Sequence, residues 1–509
     1  MTELTKTLTE KLSENAQKPI IKDIQLDAWF TGQDILDDIK QLQDFFQRQG
    51  MGYQDTLFLA FGNSALYIPL NQALWQLGMV AHPVSETTPA KELQKYYEAA
   101  DYPAIIVESD KIEVFEKYAE LTAHYLPLKT CPNLIILTKS GHLAPSKLPM
   151  ETSLALILNT SGTTGKPKQV GLTHQQLLIG AKNSIASHPL TENDRVLVVM
   201  PMFHVNAQNI IVNATLLSSG QLIIAPRFSA SRFWTWIQDY RITWTSVVPT
   251  IVTILLKNET SRNTFKPVSH LRFVRCGSAI LAKSKEIAFQ ETFGVPILEG
   301  MGMTEASGQI TLNPPTAIKQ GSVGKPFKID LAIVKDNQLT KQAMQTGEVA
   351  LRGPQVITDY LQPSPSSFKD GWLLTGDIGH LDEDGYLYLE GRKKDFINRG
   401  GEKISPVIVE DVLAQLDVIK DVAVIPVADE VYGEVVAAAI ILQNTVKPSA
   451  TLEADIMAFA AEHLAKYCQP TQLYFMADFP RNPTGKLLRR QLIEEVHQLS
   501  LEKGKEIET

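Results

Sequence analysis

The residues best suited to chemistry lie between positions 158 and 170, in the run Leu-Asn-Thr-Ser-Gly-Thr-Thr-Gly-Lys-Pro-Lys-Gln-Val. Glycines let backbone N–H groups approach an anion closely, and hydroxyl and ammonium groups add donors and positive charge. The run is not a Walker loop, because proline follows Lys166 where that loop has serine or threonine. It indicates a phosphate-binding loop, with a polar surface turn as the alternative. The residues concerned are Thr160, Ser161, Gly162, Thr163, Thr164, Gly165, Lys166 and Lys168.

A second segment, residues 298–305, reads Leu-Glu-Gly-Met-Gly-Met-Thr-Glu. A strand-like start leads into glycines, and these are followed by a hydroxyl next to a carboxylate. Thr304 could donate a hydrogen bond to a phosphate, and Glu305 could ligate a hard cation such as Mg²⁺. The alternative is that the Thr-Glu pair only begins a helix.

A third candidate is Asp377, the last residue of the run Gly-Trp-Leu-Leu-Thr-Gly-Asp at 371–377. A carboxylate at the end of a strand can accept two hydrogen bonds, as the paired hydroxyls of a ribose require. An aspartate that only stabilises a turn is the alternative, and without context the more common one.

A basic segment at 391–406 reads Gly-Arg-Lys-Lys-Asp-Phe-Ile-Asn-Arg-Gly-Gly-Glu-Lys-Ile-Ser-Pro. Two consecutive glycines stand beside Arg399 and Lys403. Solvation of the surface explains the charges, but it does not explain the glycines. Such a segment could let a thin chain pass and bind its distant phosphates.

A second basic segment at 480–490 reads Pro-Arg-Asn-Pro-Thr-Gly-Lys-Leu-Leu-Arg-Arg. The Pro-Thr-Gly turn would present the ammonium of Lys486 on a short, stiff loop. The alternative, a basic helix start, fits Arg489 and Arg490 better than it fits Lys486.

The elements that must position these segments alternate between strands and helices from about 50 to 300, which predicts α/β architecture with parallel sheets. After Thr173, a predicted N-cap, apolar residues recur at helical spacing, and residues 279–293 show the same pattern. The predicted strands are 56–61, 104–107, 134–137, 195–200, 221–225, 244–248 and 271–275.

The alternation of strands and helices gives way to other patterns at two points towards the C-terminus. Frequent glycine and proline between 321 and 391 predict a small β-rich subdomain, and the polar residues 392–395 predict a hinge. The predicted domains are therefore an N-terminal domain, 1–391, and a C-terminal α+β domain, 396–509. Within the latter, helices are expected at 405–416 and 452–466 and after the last strand, with strands at 419–426, 435–442 and 472–476.

Composition narrows the function classes. The 509 residues include 44% apolar and 20% charged residues, as in ordinary globular chains. A net charge of −8 gives no electrostatic case for binding nucleic acid or an anionic membrane. The three cysteines, Cys131, Cys276 and Cys468, are too far apart for a metal pattern or a disulfide framework. With no signal peptide or membrane span recognised, we expect a cytoplasmic protein.

In their order and spacing, the five motif segments resemble the acyl-adenylate-forming superfamily of acyl- and aryl-CoA synthetases, peptide-synthetase adenylation domains and beetle luciferases. The resemblance covers roughly residues 50–500 and is strongest to acid–CoA ligases. Within that group the sequence most resembles the oxalyl-CoA synthetase and 4-coumarate–CoA ligase-like branch. The segments that carry this resemblance are 398–406, 271–275, 321–326 and Phe233-Trp234. It implies a large N-terminal domain of two packed, parallel-rich sheets with a small β-barrel-like subdomain, and a small, mobile C-terminal domain.

The resemblance also implies a two-step reaction. A carboxylate attacks the α-phosphate of ATP to give acyl-AMP and pyrophosphate, and the thiol of CoA then displaces AMP. Since both reactants of the first step are anions, that step needs positive charge and alignment. ATP, Mg²⁺ and CoA are therefore the expected cofactor and co-substrates.

Roles follow by matching residues to the family motifs. The loop from Thr160 to Lys168 is expected on the β- and γ-phosphates, with Thr304 on the α-phosphate and Glu305, together with Thr160, on Mg²⁺. Asp377 and Arg392 match the ribose contacts, and Lys486 matches the lysine that bridges carboxylate and phosphate oxygens during adenylation. The residues expected around adenine are Gly277, Ser278, Ala279, Glu299, Gly300, Met301 and Gly302.

Three further roles, those of a hinge, an acyl contact and CoA binding, rest only on the resemblance. One lysine on the small domain cannot stay in the site while CoA enters, so that domain is expected to rotate about Lys394. His204 matches a histidine that contacts the acyl group. The residues expected to bind CoA are Arg399, Gly400, Gly401 and Lys403.

Three features depart from the family pattern, and the third bears on the expected substrate. Met301 replaces an aromatic residue beside adenine, and Gln169 replaces a glycine. Oxalyl-CoA synthetases typically have a second pocket histidine shortly after the Thr-Glu pair, and here residues 304–309 have none. A small dianion needs opposed donors, for which the candidates are Ser307, Gln309, Asn206 and Gln208.

The sequence thus predicts an ATP-dependent acid–CoA ligase for a short acid such as oxalate, or for a medium-chain fatty or aryl acid. A stand-alone adenylation enzyme that loads a carrier-protein thiol is one alternative. A non-catalytic nucleotide-binding relative is the other. The expected partners are small molecules, with no nucleic acid and no integral membrane association, and the expected state is a monomer or homodimer.

Overall fold

The computed structural model of the chain describes residues 1–160, 168–482 and 485–507. In that part of the chain the α-helices are α1 (Glu3–Glu14), α2 (Gly32–Arg48), α3 (Tyr67–Leu77), α4 (Ala90–Glu98), α5 (His174–Ser187), α6 (Ala214–Leu217), α7 (Phe233–Asp239), α8 (Pro249–Lys257), α9 (Glu259–Thr264), α10 (Lys283–Phe293), α11 (Pro406–Leu413), α12 (Ala450–His463) and α13 (Arg489–Ile507).

The first of two large sheets is parallel except for its last strand, which is antiparallel. Each parallel strand is a short apolar run, as expected where helices cover both faces of a sheet. Its strands, in pairing order, are β14 (Ile297–Glu299), β13 (Phe273–Cys276), β12 (Trp244–Val247), β10 (Arg195–Val198), β11 (Gln221–Ile224), β1 (Pro19–Asp23) and β2 (Ala28–Thr31).

The second large sheet is mixed. Its central pairings are parallel, but both of its edges are antiparallel. The prediction of parallel sheets was therefore wrong at these edges, because short connections can join only antiparallel neighbours. Its strands, in pairing order, are β6 (Leu121–Tyr125), β7 (Ile135–Lys139), β5 (Ala104–Val107), β3 (Thr56–Ala60), β4 (Val80–Pro83), β8 (Leu154–Thr160) and β9 (Lys168–Thr173).

One apolar core joins the two sheets. It contains side chains from both sheets and from α1, α2, α3 and α5. Helix α5 begins where the sequence predicts, because Thr173 and Gln176 form a capping box. The Thr173 hydroxyl accepts a hydrogen bond from the Gln176 backbone N–H, and the Gln176 side-chain oxygen accepts one from the Thr173 backbone N–H. This capping box follows β9 directly, so it also determines where that strand ends.

A smaller antiparallel sheet follows, with its own apolar core. It occupies the region predicted to be β-rich. Its strands in pairing order are β20 (Gln338–Thr340), β19 (Asp330–Lys335), β21 (Gly347–Arg352), β23 (Trp372–Leu381) and β22 (Phe368–Lys369), with β24 (Leu387–Arg392) also paired to β23. Two short hairpins precede it, formed by β15 (Gly302–Met303) with β16 (Gly308–Gln309) and by β17 (Thr311–Leu312) with β18 (Lys325–Pro326).

The C-terminal part is a five-stranded sheet packed with α11, α12 and α13, and it has two separate apolar cores. Its elements follow the predicted order, and α13 begins at Arg489, as the basic helix start suggested. Its strands are β26 (Glu402–Ile404), β25 (Ile397–Arg399), β28 (Gly433–Leu442), β27 (Ile419–Asp429) and β29 (Gln472–Phe475). Across the described ranges, no helix combines the length and apolar character that crossing a bilayer requires.

Candidate functional site

A cleft with a volume of about 290 Å³ lies between the C-terminal part and the rest of the chain. Its floor is formed where the parallel strands β12, β13 and β14 end, which is where open α/β sheets bind ligands. Side chains of α8, β23 and α11 complete its walls, and the loop carrying Lys486 reaches in from the C-terminal part.

The segments predicted around adenine meet on one wall of this cleft. Ser278, Ala279 and residues 300–302 line it, whereas Gly277 and Glu299 lie behind it. A Cβ atom at Gly277 would be only 2.8 Å from the Gly300 carbonyl oxygen, so the close approach of these two turns requires glycine. The Glu299 carboxylate is buried and accepts a hydrogen bond from the Leu281 backbone N–H at 2.8 Å. Its side chain therefore holds the neighbouring loop rather than facing the cleft.

The two residues predicted at the ribose form an ion pair. Asp377 and Arg392 are cross-strand partners on β23 and β24, with 2.6 Å between Arg392 Nε and Asp377 Oδ1. Burial raises the pKa of Asp377 above its ordinary value, and the charges of Arg392 and Lys486 oppose that shift. The carboxylate is therefore buried beside two cations, at the edge of the cleft.

Lys486 lies in the same cleft although 109 positions separate it from Asp377 in the numbering. It belongs to a tight turn in which its backbone N–H donates to Asn482 Oδ1 at 2.8 Å and its carbonyl accepts from the Asn482 N–H at 2.9 Å. Residues 483 and 484 of this turn lie outside the described residues. Burial, with the nearby Arg392 guanidinium, lowers the pKa of Lys486 to about 8.

The Thr304-Glu305 pair forms a short turn at a second edge of the site. Glu305 is 7% exposed and its Oε1 accepts a hydrogen bond from the Tyr360 hydroxyl at 2.9 Å. Burial raises the pKa of Glu305, while the charges of Arg392 and Lys168 oppose that shift. Thr304, the first residue of the turn, is half-buried.

Lys168 connects this turn to the predicted phosphate loop. Its Nζ lies 4.5 Å from the Tyr360 ring centroid and donates to the hydroxyls of Ser364 and Ser367 at 2.9 and 2.8 Å. Thr160 is its cross-strand partner, so β8 and β9 place both ends of the loop together. The predicted loop residues Ser161, Gly162, Thr163, Thr164, Gly165 and Lys166 lie outside the described residues.

His204 precedes a π-helix, Asn206–Asn213, whose residues are all buried. Burial lowers the pKa of His204 to about 4, so the imidazole is neutral at physiological pH. A π-helix is rare and occurs most often at functional sites. His204 does not line the cleft, and its place beside an acyl pocket stays a prediction.

All four proposed substrate donors have hydrogen-bond partners within the protein, which corrects that part of the sequence analysis. Gln309 Nε2 donates to the Ser187 hydroxyl at 2.6 Å, and Asn206 Oδ1 accepts from the Ser246 hydroxyl at 3.1 Å. The Ser307 hydroxyl donates to the Gln355 carbonyl at 2.9 Å. The Gln208 side chain accepts from Asn71 at 3.1 Å and lines a different, very small cavity. Sequence spacing did not reveal this partner, because Asn71 is 137 positions away from Gln208 in the chain.

The residues predicted to bind CoA lie outside the cleft, on the β25–β26 hairpin. Arg399 donates to the Tyr467 carbonyl at 2.9 Å, and its guanidinium carbon lies 4.8 Å from the Tyr432 ring centroid. Gly400 and Gly401 form the turn with φ of +58° and +98°, and Lys403 is exposed. The predicted hinge residue Lys394 is exposed just after β24.

The sequence analysis missed one buried cation, Arg275, near the end of β13. Its side chain is 1% exposed and donates to the Ser246 hydroxyl at 3.2 Å. A signal was present, since a basic residue occupies an inner position of an otherwise apolar strand. Such residues are almost never fully buried without a reason.

Comparison with known proteins matches both parts of the chain to one family. Residues 8–361 match the AMP-binding enzyme family and residues 408–486 match the AMP-binding enzyme C-terminal domain. The oxalate–CoA ligase of Arabidopsis thaliana is 34% identical over 86% of this chain and 87% of its own. The sulfoacetate–CoA ligase of Cupriavidus necator is 30% identical over 87% of this chain and 88% of its own.

A solved structure agrees with these matches. It is that of o-succinylbenzoate coenzyme A synthetase from Bacillus subtilis in complex with ATP and magnesium ion. The two chains superpose with a TM-score of 0.79 at 26% identity, over 96% of this chain and 98% of that one.

Proposed function

We propose, since this chain belongs to the AMP-binding enzyme family, that its cleft performs the AMP-forming ligation of a short carboxylic acid to CoA with the residues described above. The class of reaction is that of the family's acid–CoA ligases. The carboxylate attacks the α-phosphorus of ATP and pyrophosphate leaves. The thiol sulfur of CoA then attacks the acyl carbon, AMP leaves, and the thiol proton is released.

One observation carries the assignment of the first step, namely the buried ammonium of Lys486 beside Asp377 and Arg392. A carboxylate and a triphosphate repel each other, so their approach needs a cation between them. Lysine provides a compact charge on a flexible stem and can bridge both groups. The pair formed by Asp377 and Arg392 supplies an acceptor and a donor for the ribose.

The Thr304-Glu305 turn is suited to bind Mg²⁺ when the phosphates of a nucleotide share the ion. No group of three or more metal-ligating side chains occurs within the described ranges. Mg²⁺ usually needs only one or two carboxylates, because substrate phosphates and water complete its coordination. Glu305, buried and hydrogen-bonded by Tyr360, would be that carboxylate, and bound Mg²⁺ would neutralise phosphate charge. Thr304 and Lys168 would contact the phosphates.

We place the domain division at 1–391 and 396–509, with residues 392–395 as the hinge and Lys394 within it. Lys486 occupies the cleft in this arrangement, and CoA would need that space. Rotation of the C-terminal domain would remove Lys486 and bring the β25–β26 hairpin, with Gly400, Gly401 and Lys403, to the cleft.

The substrate class proposed here is a short acid, with oxalate as the first example. The names of two relatives, oxalate–CoA ligase and sulfoacetate–CoA ligase, support this choice. A medium-chain fatty acid or an aryl acid is the alternative.

The two half-reactions test these roles separately. Lys486→Ala should slow acyl-AMP formation, measured as acid-dependent pyrophosphate release, by at least about 100-fold. Thioester formation from supplied acyl-AMP and CoA should remain close to wild type, because that step does not need the ammonium. Lys447→Ala, at an exposed lysine of the same domain, is the control and should leave both steps unchanged. An equal fall in both half-reactions, with an unaltered melting temperature, would show that the role given to Lys486 is wrong.

A further inference from the structure

Arg481 precedes the turn that carries Lys486, and it lines the same cleft. Its backbone forms an antiparallel bridge with Leu487, so the chain turns back on itself between these two residues. Lys486 lies on the returning side of the turn. The sequence analysis gave Arg481 no role, although its guanidinium contacts the turn, the C-terminal sheet and helix α8.

Within the C-terminal part, the guanidinium of Arg481 ties the turn to the sheet. Its Nη1 donates a hydrogen bond to the Gly485 carbonyl at 2.9 Å, directly before Lys486. Its Nη2 donates to Asp421 Oδ2, on β27, at 2.6 Å. Because charge-assisted hydrogen bonds are stronger than neutral ones, this pair fixes the position of the turn relative to β27.

The same guanidinium also reaches across the cleft to α8. Arg481 Nη1 lies 3.3 Å from the Thr250 hydroxyl oxygen, and that hydroxyl donates to the Gly485 carbonyl at 2.9 Å. The guanidinium, the hydroxyl and the carbonyl thus form a closed ring of three hydrogen bonds. The ring satisfies each group, because Nη1 has two protons, a hydroxyl can donate and accept, and a carbonyl oxygen has two lone pairs.

This ring sets the height of the Lys486 turn above α8. Gly485 has a φ of +81°, which favours glycine, and a Cβ atom there would lie 3.5 Å from Thr250 Oγ. The turn is therefore in close contact with the helix. Since the carbonyl that accepts both hydrogen bonds belongs to the residue before Lys486, the ring also determines where the Lys486 side chain starts.

The charge of Arg481 is matched within the protein, which favours a positioning role over phosphate binding. The side chains of Arg481 and Asp421 are each 24% exposed and form an ion pair. The Lys285 ammonium, on α10, lies 4.0 Å from the other carboxylate oxygen of Asp421. Three of the five N–H donors of the guanidinium are used in the contacts described above, and the carboxylate already balances its charge.

We propose, building on the function proposed above, that Arg481 positions Lys486 for acyl-AMP formation by joining its turn to Thr250 of α8. The hydrogen bonds to Asp421 and Gly485 stay within the C-terminal part, whereas those that involve Thr250 cross the cleft. Rotation of the C-terminal domain would break only the bonds to Thr250. Arg481 therefore acts in the first half-reaction and has no part in the second.

The first test compares the two half-reactions in Arg481→Met, which keeps an unbranched side chain but removes its donors. In acid-dependent pyrophosphate release, kcat should fall by about 10- to 100-fold, as expected for lost hydrogen bonds to a charged group, with KM for ATP near that of the wild type. Thioester formation from supplied acyl-AMP and CoA should be unchanged. Arg490→Met is the matched control, because Arg490 is 83% exposed on α13, and it should alter neither half-reaction.

A double-variant cycle tests whether the contact across the cleft carries the effect. Thr250→Val removes the hydroxyl at nearly constant shape and should lower kcat of pyrophosphate release by about 2- to 10-fold. Added to Arg481→Met, it should lower kcat by less than about a further 2-fold, because both changes break the same ring. Neither change should slow thioester formation. Thr250→Val leaves the C-terminal part unaltered, so it tests the contact even where Arg481→Met unfolds.

The outcomes separate this proposal from the function on which it rests. A raised KM for ATP with unchanged kcat would show that Arg481 binds phosphate instead. Equal losses in both half-reactions, or independent effects of Arg481→Met and Thr250→Val, would show that Arg481 only stabilises the C-terminal part. Each of these results would overturn the role of Arg481 while the ligase function stands. Absence of pyrophosphate release by the wild type with every acid, despite ATP binding, would contradict the proposed function itself.

Discussion

At the scale of single residues, three charged groups of the site have pKa values shifted towards the neutral form. Burial lowers the pKa of Lys486 and raises those of Asp377 and Glu305. Each shift is opposed by a neighbour of opposite charge, so the site is close to balance before substrates bind. Arriving phosphates favour the charged form of Lys486, and a bound cation favours the charged form of Glu305. Perturbed pKa values of this kind cluster at functional sites.

These shifts predict a pH dependence of acyl-AMP formation. Since the pKa of Lys486 is lowered to about 8, the ammonium form is full below that pH and is lost above it. The value of kcat/KM for ATP reports the enzyme before ATP binds, so it should fall above about pH 8 by one proton. Pyrophosphate release measured from pH 6 to 10 checks this expectation.

Lys486→Arg tests whether the alkaline fall comes from this ammonium, because a guanidinium keeps its charge from pH 6 to 10. Its activity should be lower than that of the wild type but without the alkaline fall, whereas Lys447→Ala should retain the fall. A wild-type profile that stays flat to pH 10 would contradict the assignment of a buried, titrating ammonium to this step.

At the scale of elements, the Thr304-Glu305 turn depends on parts of the chain that are distant in sequence. The Asn209 side chain, on the π-helix, donates to the Ser307 carbonyl at 2.7 Å, and the Ile357 backbone N–H donates to the Glu305 carbonyl at 2.8 Å. Helix α5 passes closely behind this turn at Gly180. The position of the proposed metal ligand therefore depends on the packing of the π-helix and α5.

Gly180→Ala tests this dependence. Alanine in a helix interior usually stabilises by about 0.5–1 kcal/mol relative to glycine. Here the new Cβ would lie 2.6 Å from Asn209 Nδ2 and 2.7 Å from the Ser307 carbonyl oxygen, so we expect destabilisation by about 1–3 kcal/mol instead. Denaturant unfolding measures whether the free energy of unfolding rises or falls. Pyrophosphate release by the variant should require a higher Mg²⁺ concentration, because Glu305 is displaced.

Lys182→Ala, at an exposed position of the same helix, is the control and should change neither measurement by much. A more stable Gly180→Ala variant with an unchanged Mg²⁺ requirement would mean that this contact does not position the turn.

At the scale of the whole molecule, α8 holds the C-terminal part over the cleft. The Thr250 hydroxyl donates to the Gly485 carbonyl at 2.9 Å, next to Lys486. The Lys257 ammonium donates to the Ile419 and Lys420 carbonyls at 2.5 and 3.0 Å. Burial lowers the pKa of Lys257 to about 8, as expected for an ammonium enclosed between α8 and the start of β27. These contacts belong to the arrangement in which Lys486 lies in the cleft.

Lys257→Met should therefore disfavour this arrangement. We expect acyl-AMP formation to slow by about 2- to 10-fold through the lost hydrogen bonds, with thioester formation from supplied acyl-AMP unchanged. Parallel assays of the two half-reactions measure the difference. Lys266→Met, at an exposed lysine after α9, should affect neither. Equal loss in both steps would argue against a rotation between two arrangements.

The local parts of this protein could be predicted from its sequence alone. The Thr173 capping box and the helix that begins at Arg489 depend on neighbouring residues, because backbone preference and amphipathic spacing are short-range properties. The prediction that a strand ends at Asp377 was wrong, since β23 continues to Leu381 through pairing with distant strands. The family motifs also indicated the class of reaction, since hydroxyls, glycines and lysines at fixed spacing recognise phosphates wherever they occur. The antiparallel sheet edges were not foreseen, because pairing direction depends on how connections fold back.

Only the tertiary structure decided which of these residues meet and in what electrostatic state. It brought Lys486 beside Asp377, joined Gln208 to Asn71, and buried Arg275 with no ion pair to any described residue. Burial and pairing depend on side chains that come from many different elements, so no local pattern contains them. The sequence therefore determined the kind of chemistry, and the packing of distant elements decided which charges are available to perform it.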